Sequence, residues 1–462
     1  MPLANAHNES GAVDVVDVQA LIDSQPFTPY QWLILCLCFL IVAVDGFDTA
    51  AIGYIAPALV QEWGIQKSEL GPVLSAALFG LAFGAIFAGP MADRVGRKRV
   101  LIVSVFFFGI CSLATAFAPT LGWLTALRFL TGLGLGAAMP NAITLTSEFA
   151  PERRRAVLVN TMFCGFPLGS ACGGFIAAAL IPHYGWHSVL LLGGVLPIVL
   201  AFLLIAFLPE SVRYMVMRNY PAAQIGKVLR RVVGVAAQAS RYVISERAPA
   251  TRSPVGTVLA PGYRLGSVML WCTYFMGLVI FYLLTSWMPT LMKDAGFTIE
   301  RASFLTALFP LGGGIGTIVA GWFMDRFNPN KVVAIAYALT GVLIYTVGHG
   351  TGNQLALGLL IFMAGTTMNG AQSSMPTLAA AFYPTQGRAT GVAWMLGIGR
   401  FGGITGALLG AELLRMKLGF DAIFGLLAIP AFLAATALVI KHLGVKSTAP
   451  SGTDNSKAFV SH

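Results

Sequence analysis

The chain has 462 residues, 56% hydrophobic and 10% charged, with a mean hydropathy of +0.77. Soluble domains carry about 25% charged residues, so this composition excludes a soluble globular protein and calls for a lipid bilayer around a polytopic one. The net charge of +10 does not signal nucleic acid, because the basic residues follow the polar loops rather than forming one patch.

In chain order, residues 1–30 are polar and acidic, without a basic stretch ahead of a short apolar core, so no cleavable signal peptide is expected. Val13 to Ile22 is expected to form a short surface helix. Twelve apolar segments follow, roughly 31–55, 70–91, 100–118, 121–145, 156–181, 187–208, 265–292, 302–323, 331–349, 353–379, 387–412 and 420–442. Each approaches the about 20 residues that cross a bilayer as a helix. The expected organisation is an N-terminal segment 1–30, a six-helix half 31–208, a linker 209–263, a second half 264–443 and a tail 444–462. The linker is rich in Arg, Ala, Pro and Ser and reads as a solvated connector.

The first segment carries Asp45 and Asp48 inside its apolar run. Aspartate at the centre of a membrane helix costs roughly 2.5–3.5 kcal/mol on insertion scales and marks function. Three residues apart, the two acids share one helix face, about one turn from each other. Gly46 between them lets another backbone or a ligand come close.

Basic residues set the orientation. With the N-terminus inside, 22 of the 29 Lys and Arg fall in inner loops, linker or tail, 5 in outer loops, and Arg128 and Arg400 within the membrane. Both termini are therefore expected in the cytoplasm. The halves also repeat: Gly89 to Arg99 (GPMADRVGRKR) matches Gly321 to Lys331 (GWFMDRFNPNK), and Phe149 to Ala156 (FAPERRRA) matches Phe382 to Ala389 (FYPTQGRA). Two matches at nearly one offset argue for duplication, with a site between the halves near mid-membrane. The six cysteines all lie in apolar segments and suggest neither disulfides nor a metal site.

Gly89-x-x-x-Asp93-Arg94-x-Gly96-Arg97-Lys98 resembles the loop signature of the major facilitator superfamily. Arg128-x-x-x-Gly132-x-Gly134-x-Gly136 resembles its fourth-helix motif, and Pro209-Glu210-Ser211-Val212-Arg213 its sixth-helix exit. Asp45-Gly46-Phe47-Asp48 is similar to the Asp-Gly-x-Asp pattern of the aromatic acid:proton symporters within it. Gly185 to Pro197, Phe275 to Met292 and Phe382 to Gly402 look closest to the 4-hydroxybenzoate/protocatechuate transporters of that family. Two departures weaken other branches. Ser170 stands where the antiporter motif of the fifth helix has proline, and His442-Leu443-Gly444 lacks the sugar porters' second exit motif.

The resemblance implies an all-α membrane protein of twelve transmembrane helices in two six-helix halves, in the inner membrane of a bacterium. It implies a symporter that imports an aromatic acid anion with protons by alternating access. Such a protein is not an enzyme; no cofactor or metal is expected, and the proton gradient supplies the energy.

Counting helical rise, Asp45, Arg128 and Arg400 all lie ~20 Å from the inner side. Buried charges need partners. In the family architecture helices 1, 4, 7 and 10 line the cavity, which lets Asp45 or Asp48 meet Arg128 as the proton-coupling group. Arg400 is the candidate for the substrate carboxylate, because guanidinium stays charged and forks onto carboxylates. Asn141, Asn369 and Gln372 are intramembrane amides suited to a ring hydroxyl. Tyr274, Tyr282 and Trp394, with Phe275 and Phe281, are candidates to flank the ring. At the inner rim, Asp93, Arg94, Arg97 and Glu148, with Asp325, Arg326 and Arg388 from the other half, are expected to form a gating network. The alternatives are a porter for another small metabolite and a membrane sensor of aromatic acids. A membrane enzyme fits less well, since His183, His187 and His349 are spread out without metal spacing or a nucleophile–base pair.

Overall fold

The structure is a computed structural model that describes residues 15–234, 239, 241–244, 256, 258–350, 353–383 and 387–448. Among them are twelve helices long and apolar enough to cross a membrane. The spans are Pro29–Trp63, Leu70–Val95, Arg97–Thr115, Leu121–Phe149, a fifth broken into Arg155–Phe163 and Gly165–Tyr184, His187–Phe207, Pro261–Asp294, Ile299–Arg326, Pro329–His349, Gln354–Phe382, Arg388–Arg415 and Phe420–Thr448. Every expected segment corresponds to one span. Several spans run a turn or more past the apolar run, because polar caps extend them. Thr28 and Gln31 form a reciprocal capping box ahead of the first span, with Pro29 at its start, and Gly64 ends it at φ 64°. Thr120, Thr298, Asn328 and Asn353 cap the fourth, eighth, ninth and tenth spans through their side chains.

Glycine sets how closely the spans approach. A Cβ on Gly169 would collide with the Ala43 carbonyl, and one on Gly46 with the Phe166 carbonyl. The glycine-rich stretch of the fifth span therefore lies directly on the first span, at the turn that carries Asp45 and Asp48. Gly132 and Gly136 of the fourth span press in the same way on Ala77 and Leu81 of the second. The second half repeats this contact, with Gly312 and Gly316 of the eighth span against the tenth and Gly365 returning it. In lipid, where apolar side chains gain little by leaving the bilayer, such backbone proximity is what holds helices together.

The two halves meet through spans 1 and 7, 5 and 8, and 2 and 11. They close at the end away from Val15 and Thr448, here called the far end. There Ala50–Pro57 of the first span and Leu283–Met292 of the seventh are buried on every side. Lys67 and Asp294 form an ion pair that joins the halves at this far end.

The structure corrects two expectations at the opposite, terminal face. The 13–22 stretch is a strand, Val15–Asp17, followed by a helix, Val18–Ser24, with Val18 and Ile22 buried rather than on the surface; Val13 lies outside the described residues. The strand pairs in parallel with Arg241–Val243 of the linker. The linker is thus not merely a connector where it is described. It forms helices Val212–Met217 and Ala222–Val233, and the second buries Ile225, Leu229, Val232 and Val233 against the first half. Thr28 donates to the Val232 carbonyl at 2.5 Å and Gln31 to the Phe149 carbonyl at 2.8 Å, which ties this cap to the membrane helices.

Gly169→Leu and Gly365→Leu are each expected to destabilise the fold by roughly 1–3 kcal/mol or more through overpacking. Gly321→Ala, whose Cβ would meet nothing within 4 Å, is expected to be neutral. Melting temperatures of the purified protein in one detergent check this comparison.

Candidate functional site

The first span brings its two acids to different surroundings. Asp48 faces Arg128 of the fourth span, and both are fully buried, at 1% and 0% exposure. Arg128 Nη1 donates to Asp48 Oδ1 at 3.1 Å and Nη2 to Oδ2 at 2.9 Å, a bidentate fork. Nη2 also donates to the Asp48 carbonyl at 3.1 Å, and Ser112 of the third span donates to Oδ1 at 2.8 Å. Of the two acids the sequence left open as the Arg128 partner, the structure selects Asp48. Breaking such a buried pair would strand one charge.

Asp45 is also buried, at 3% exposure, but its surroundings are less charged. Thr49, one turn on, donates to its carboxylate at 3.2 Å. Among the described residues no guanidinium or ammonium stands within ion-pairing distance of it. Arg400, from the eleventh span, acts on it electrostatically from farther away.

Arg400 is the meeting point of the halves. Its Nη1 donates to the Leu81 carbonyl of the second span at 2.9 Å, and it interacts electrostatically with Tyr282, Tyr274 and Asp45. The sequence around it explains the placement. In Gly399-Arg400-Phe401-Gly402-Gly403, Gly399 lies against the Tyr274 ring and Gly403 against the Tyr282 ring. Side chains at 399 and 403 would push the tyrosines away from the guanidinium. With one N–H committed to Leu81, Arg400 keeps donors for a carboxylate.

A polar arm extends from this group. Tyr337 of the ninth span donates to Gln372 Oε1 at 2.5 Å, and Gln372 Nε2 donates to the Tyr274 carbonyl at 3.4 Å. Phe281 packs beside Tyr282 and against Phe166 and Phe309, ring centroids 5.2–6.3 Å apart. Phe275 touches the eleventh span through its backbone at Gly402. The other expected ring and amide residues make no hydrogen bond to this group among the described residues. Asn141 and Asn369 spend their amide N–H on carbonyls of their own helices, Ala137 and Gly365, at 2.8 and 3.0 Å. Trp394 is 37% exposed and packs on Trp271 at 5.6 Å, two turns from Arg400 toward the terminal face.

The expected rim network forms on one half only. Arg97 pairs with Glu148 at 2.6 Å and more loosely with Asp93 at 3.8 Å. Ser211 donates to Glu148 at 2.6 Å, and Glu210 accepts the Lys98 backbone N–H at 3.0 Å. Arg94 contributes its carbonyl, which accepts from Tyr214 and Arg218, rather than its guanidinium. Asp325 and Arg388 form no ion pair among the described residues, and Arg326 stacks over Trp322 at 3.7 Å. The network across the halves is therefore not made in this conformation. The halves are closed at the far end, and their terminal-face charges form no ion pair across the halves among the described residues.

Sequence reasoning passed over Ser112, Leu81 and the Lys67–Asp294 pair, and named Glu210 and Ser211 only within the sixth-helix exit motif, because the contacts of each run between segments remote in the chain. Thr49, one helical turn beyond Asp45, and the glycines flanking Arg400 were legible signals.

A family model described as Major Facilitator Superfamily matches residues 38–298 and 270–461. The chain is 55% identical to the 4-hydroxybenzoate transporter PcaK of Pseudomonas aeruginosa, over 96% of this chain and 98% of that protein. It is 49% identical to a gallate transporter of Pseudomonas putida, over 94% of this chain and 97% of that one. It is also similar in fold to a solved structure of the xylose transporter XylE from E. coli in a partially occluded inward open conformation. The TM-score there is 0.67 at 18% identity, covering 91% of this chain and 100% of that one.

Asp48→Asn alone and Arg128→Gln alone are each expected to cost about 3–5 kcal/mol, since each leaves a buried charge uncompensated. The double variant is expected to lose clearly less than the sum. Thermal unfolding of the four proteins in detergent measures this coupling.

Proposed function

Because the chain belongs to the Major Facilitator Superfamily, we propose that it is a proton-coupled symporter that imports hydroxylated aromatic carboxylates such as 4-hydroxybenzoate or protocatechuate. The observation that carries this reading is Arg400, held between Tyr274 and Tyr282 near the buried Asp45 and bonded to the opposite half. A carboxylate matches the guanidinium, the tyrosines and Phe281 offer faces for a ring, and the Tyr337–Gln372 pair suits a ring hydroxyl.

Asp48 and Arg128 neutralise each other and are the static part of the machine. Asp45 carries the proton. Its charge can change without leaving a bonded buried cation behind, whereas discharging Asp48 would strand Arg128. A proton on Asp45 removes the negative charge that competes for Arg400, so proton and substrate carboxylate favour each other's binding. That linkage is reciprocal by thermodynamics.

An anion entering a cell works against the inside-negative potential by about 2.3 kcal/mol per charge per 100 mV. Entry with more than one proton, or with one proton and a pH gradient, overcomes it. The basic skew of the loops on the terminal face supports a reading in which that face lies in the cytoplasm and the membrane is a bacterial inner membrane. The conformation described is then the inward-facing one. Asp325, Arg326 and Arg388 of the second half join the Asp93, Arg97 and Glu148 group of the first only when the inner side shuts.

Uptake of labelled 4-hydroxybenzoate, protocatechuate and gallate by cells carrying the chain is expected to collapse with a protonophore; sodium-dependent uptake that survives it would refute proton coupling. Asp45→Asn is expected to abolish accumulation while exchange of labelled for unlabelled substrate persists, because the amide mimics the protonated acid. Arg400→Lys is expected to weaken binding of carboxylates by about tenfold, the loss that ~1.4 kcal/mol from one charge-assisted hydrogen bond gives. Analogues without the carboxylate should be little affected, and equal losses for both classes would make Arg400 a packing residue.

A further inference from the structure

The sixth span ends at Phe207 with carbonyls that its own helix leaves open. The helical donor to the Ile205 carbonyl would be the N–H of residue 209, and Pro209 has none. The donor to the Phe207 carbonyl would be the Ser211 N–H, which goes instead to the Glu210 carboxylate at 3.0 Å. Two other spans fill these places. Lys98 Nζ, at the start of the third span, donates to the Ile205 carbonyl at 3.1 Å. The Tyr30 hydroxyl, at the start of the first, donates to the Phe207 carbonyl at 2.6 Å. The ends of spans 1, 3 and 6 thus meet at one point of the terminal face, where the membrane gives way to the linker.

The linker brings a second cation to this point. The Arg231 guanidinium lies over the Tyr30 ring, 4.6 Å from its centroid. It also stands near enough to Lys98 for the two positive charges to repel. Among the described residues neither cation forms an ion pair. Glu210 attracts Lys98, but its Oε1 already accepts the backbone N–H groups of Lys98 and Ser211. The helix that carries Arg231, Ala222–Val233, also exposes Lys227 and Arg230 and contains no acid. Its apolar side is buried against the first half, so its bases face outward. Deeper in the membrane the surface turns apolar and stays open. Phe202, one turn into the sixth span from Ile205, is 61% exposed and meets the exposed Phe106 of the third at 6.3 Å.

Two like charges held together at the edge of an apolar, lipid-facing seam fit one class of ligand. We propose that Lys98, Arg231 and Tyr30 form a headgroup site for an anionic phospholipid in the leaflet at the terminal face. The phosphate sits between ammonium and guanidinium and offsets their repulsion. An acyl chain runs inward along Phe202 and Phe106. A free anion would use the cations alone, so the exposed rings favour a lipid. Bound there, the lipid clamps the linker helix to the ends of spans 1, 3 and 6. The site lies outside the Arg400 group and requires only that the chain sits in a membrane, whatever it transports.

The test is native mass spectrometry of the full-length chain, delipidated in a neutral detergent and titrated with phosphatidylglycerol or phosphatidylcholine of the same acyl chains. Arg231→Gln and Lys98→Gln are compared with Arg301→Gln, which removes an exposed cation at the far end. The parent chain is expected to bind phosphatidylglycerol at least about fivefold more tightly than phosphatidylcholine. Arg231→Gln and Lys98→Gln are each expected to weaken phosphatidylglycerol binding about fivefold, the factor that one interfacial cation gives, and Arg301→Gln to leave it unchanged. Because Lys98 also holds the end of span 6, Arg231→Gln at its exposed linker position decides the matter if Lys98→Gln misfolds. Millimolar glycerol 3-phosphate is expected not to displace the lipid. Equal affinity for the two lipids, unchanged phosphatidylglycerol binding in Arg231→Gln, or an equal loss in Arg301→Gln would overturn the proposal. Displacement by glycerol 3-phosphate would overturn it too, by making this a site for a free phosphate.

Discussion

A fully buried fork between Arg128 and Asp48 organises the centre of this protein. Neither group could enter the bilayer alone; together, with Ser112 and the Asp48 carbonyl, they satisfy the carboxylate and both terminal guanidinium nitrogens, while Arg128 Nε–H has no partner among the described residues. The fork fixes the first span against the fourth and third. It also divides the labour of the Asp-Gly-x-Asp stretch. One acid is neutralised by a permanent partner, and the other, Asp45, is left with a hydroxyl and a distant guanidinium.

That division works only if the helices are close and correctly phased, which glycine provides. The first span can present both acids inward because Gly46 and Gly169 let it touch the fifth span backbone to backbone. The same device aligns the second and fourth spans, and the eighth and tenth, without any charge. The two halves thus share a scaffold but differ in chemistry. The first carries the acids, and the second carries Arg400, Tyr274, Tyr282, Tyr337 and Gln372. The Arg400–Leu81 bond joins them.

The two membrane faces hold their closures by different means. The terminal face has strong charges, satisfied within the first half through Arg97, Glu148 and Ser211 and left apart in the second. The far face is closed now, by the buried stretches of spans 1 and 7 and the Lys67–Asp294 ion pair.

The sequence alone determined twelve spans and two repeated halves, and it set an expected orientation and an expected depth for the membrane charges. Those follow from apolar length, the skew of Lys and Arg, and a rise per residue that is the same in every helix. It also singled out Asp45, Asp48, Arg128 and Arg400, since a charge in lipid is conspicuous without a structure. Only the tertiary structure decided that Asp48 rather than Asp45 takes Arg128. The acids sit one turn apart on one face, and the choice depends on how the first span is rotated against the fourth. Only it showed that Asn141 and Asn369 each donate to a carbonyl of their own helix and that Trp394 packs on Trp271. It alone revealed that the stretch before the first span forms a strand with the linker. These outcomes rest on contacts between segments far apart in the chain, and helical periodicity within one segment carries no information about the azimuth of its neighbours.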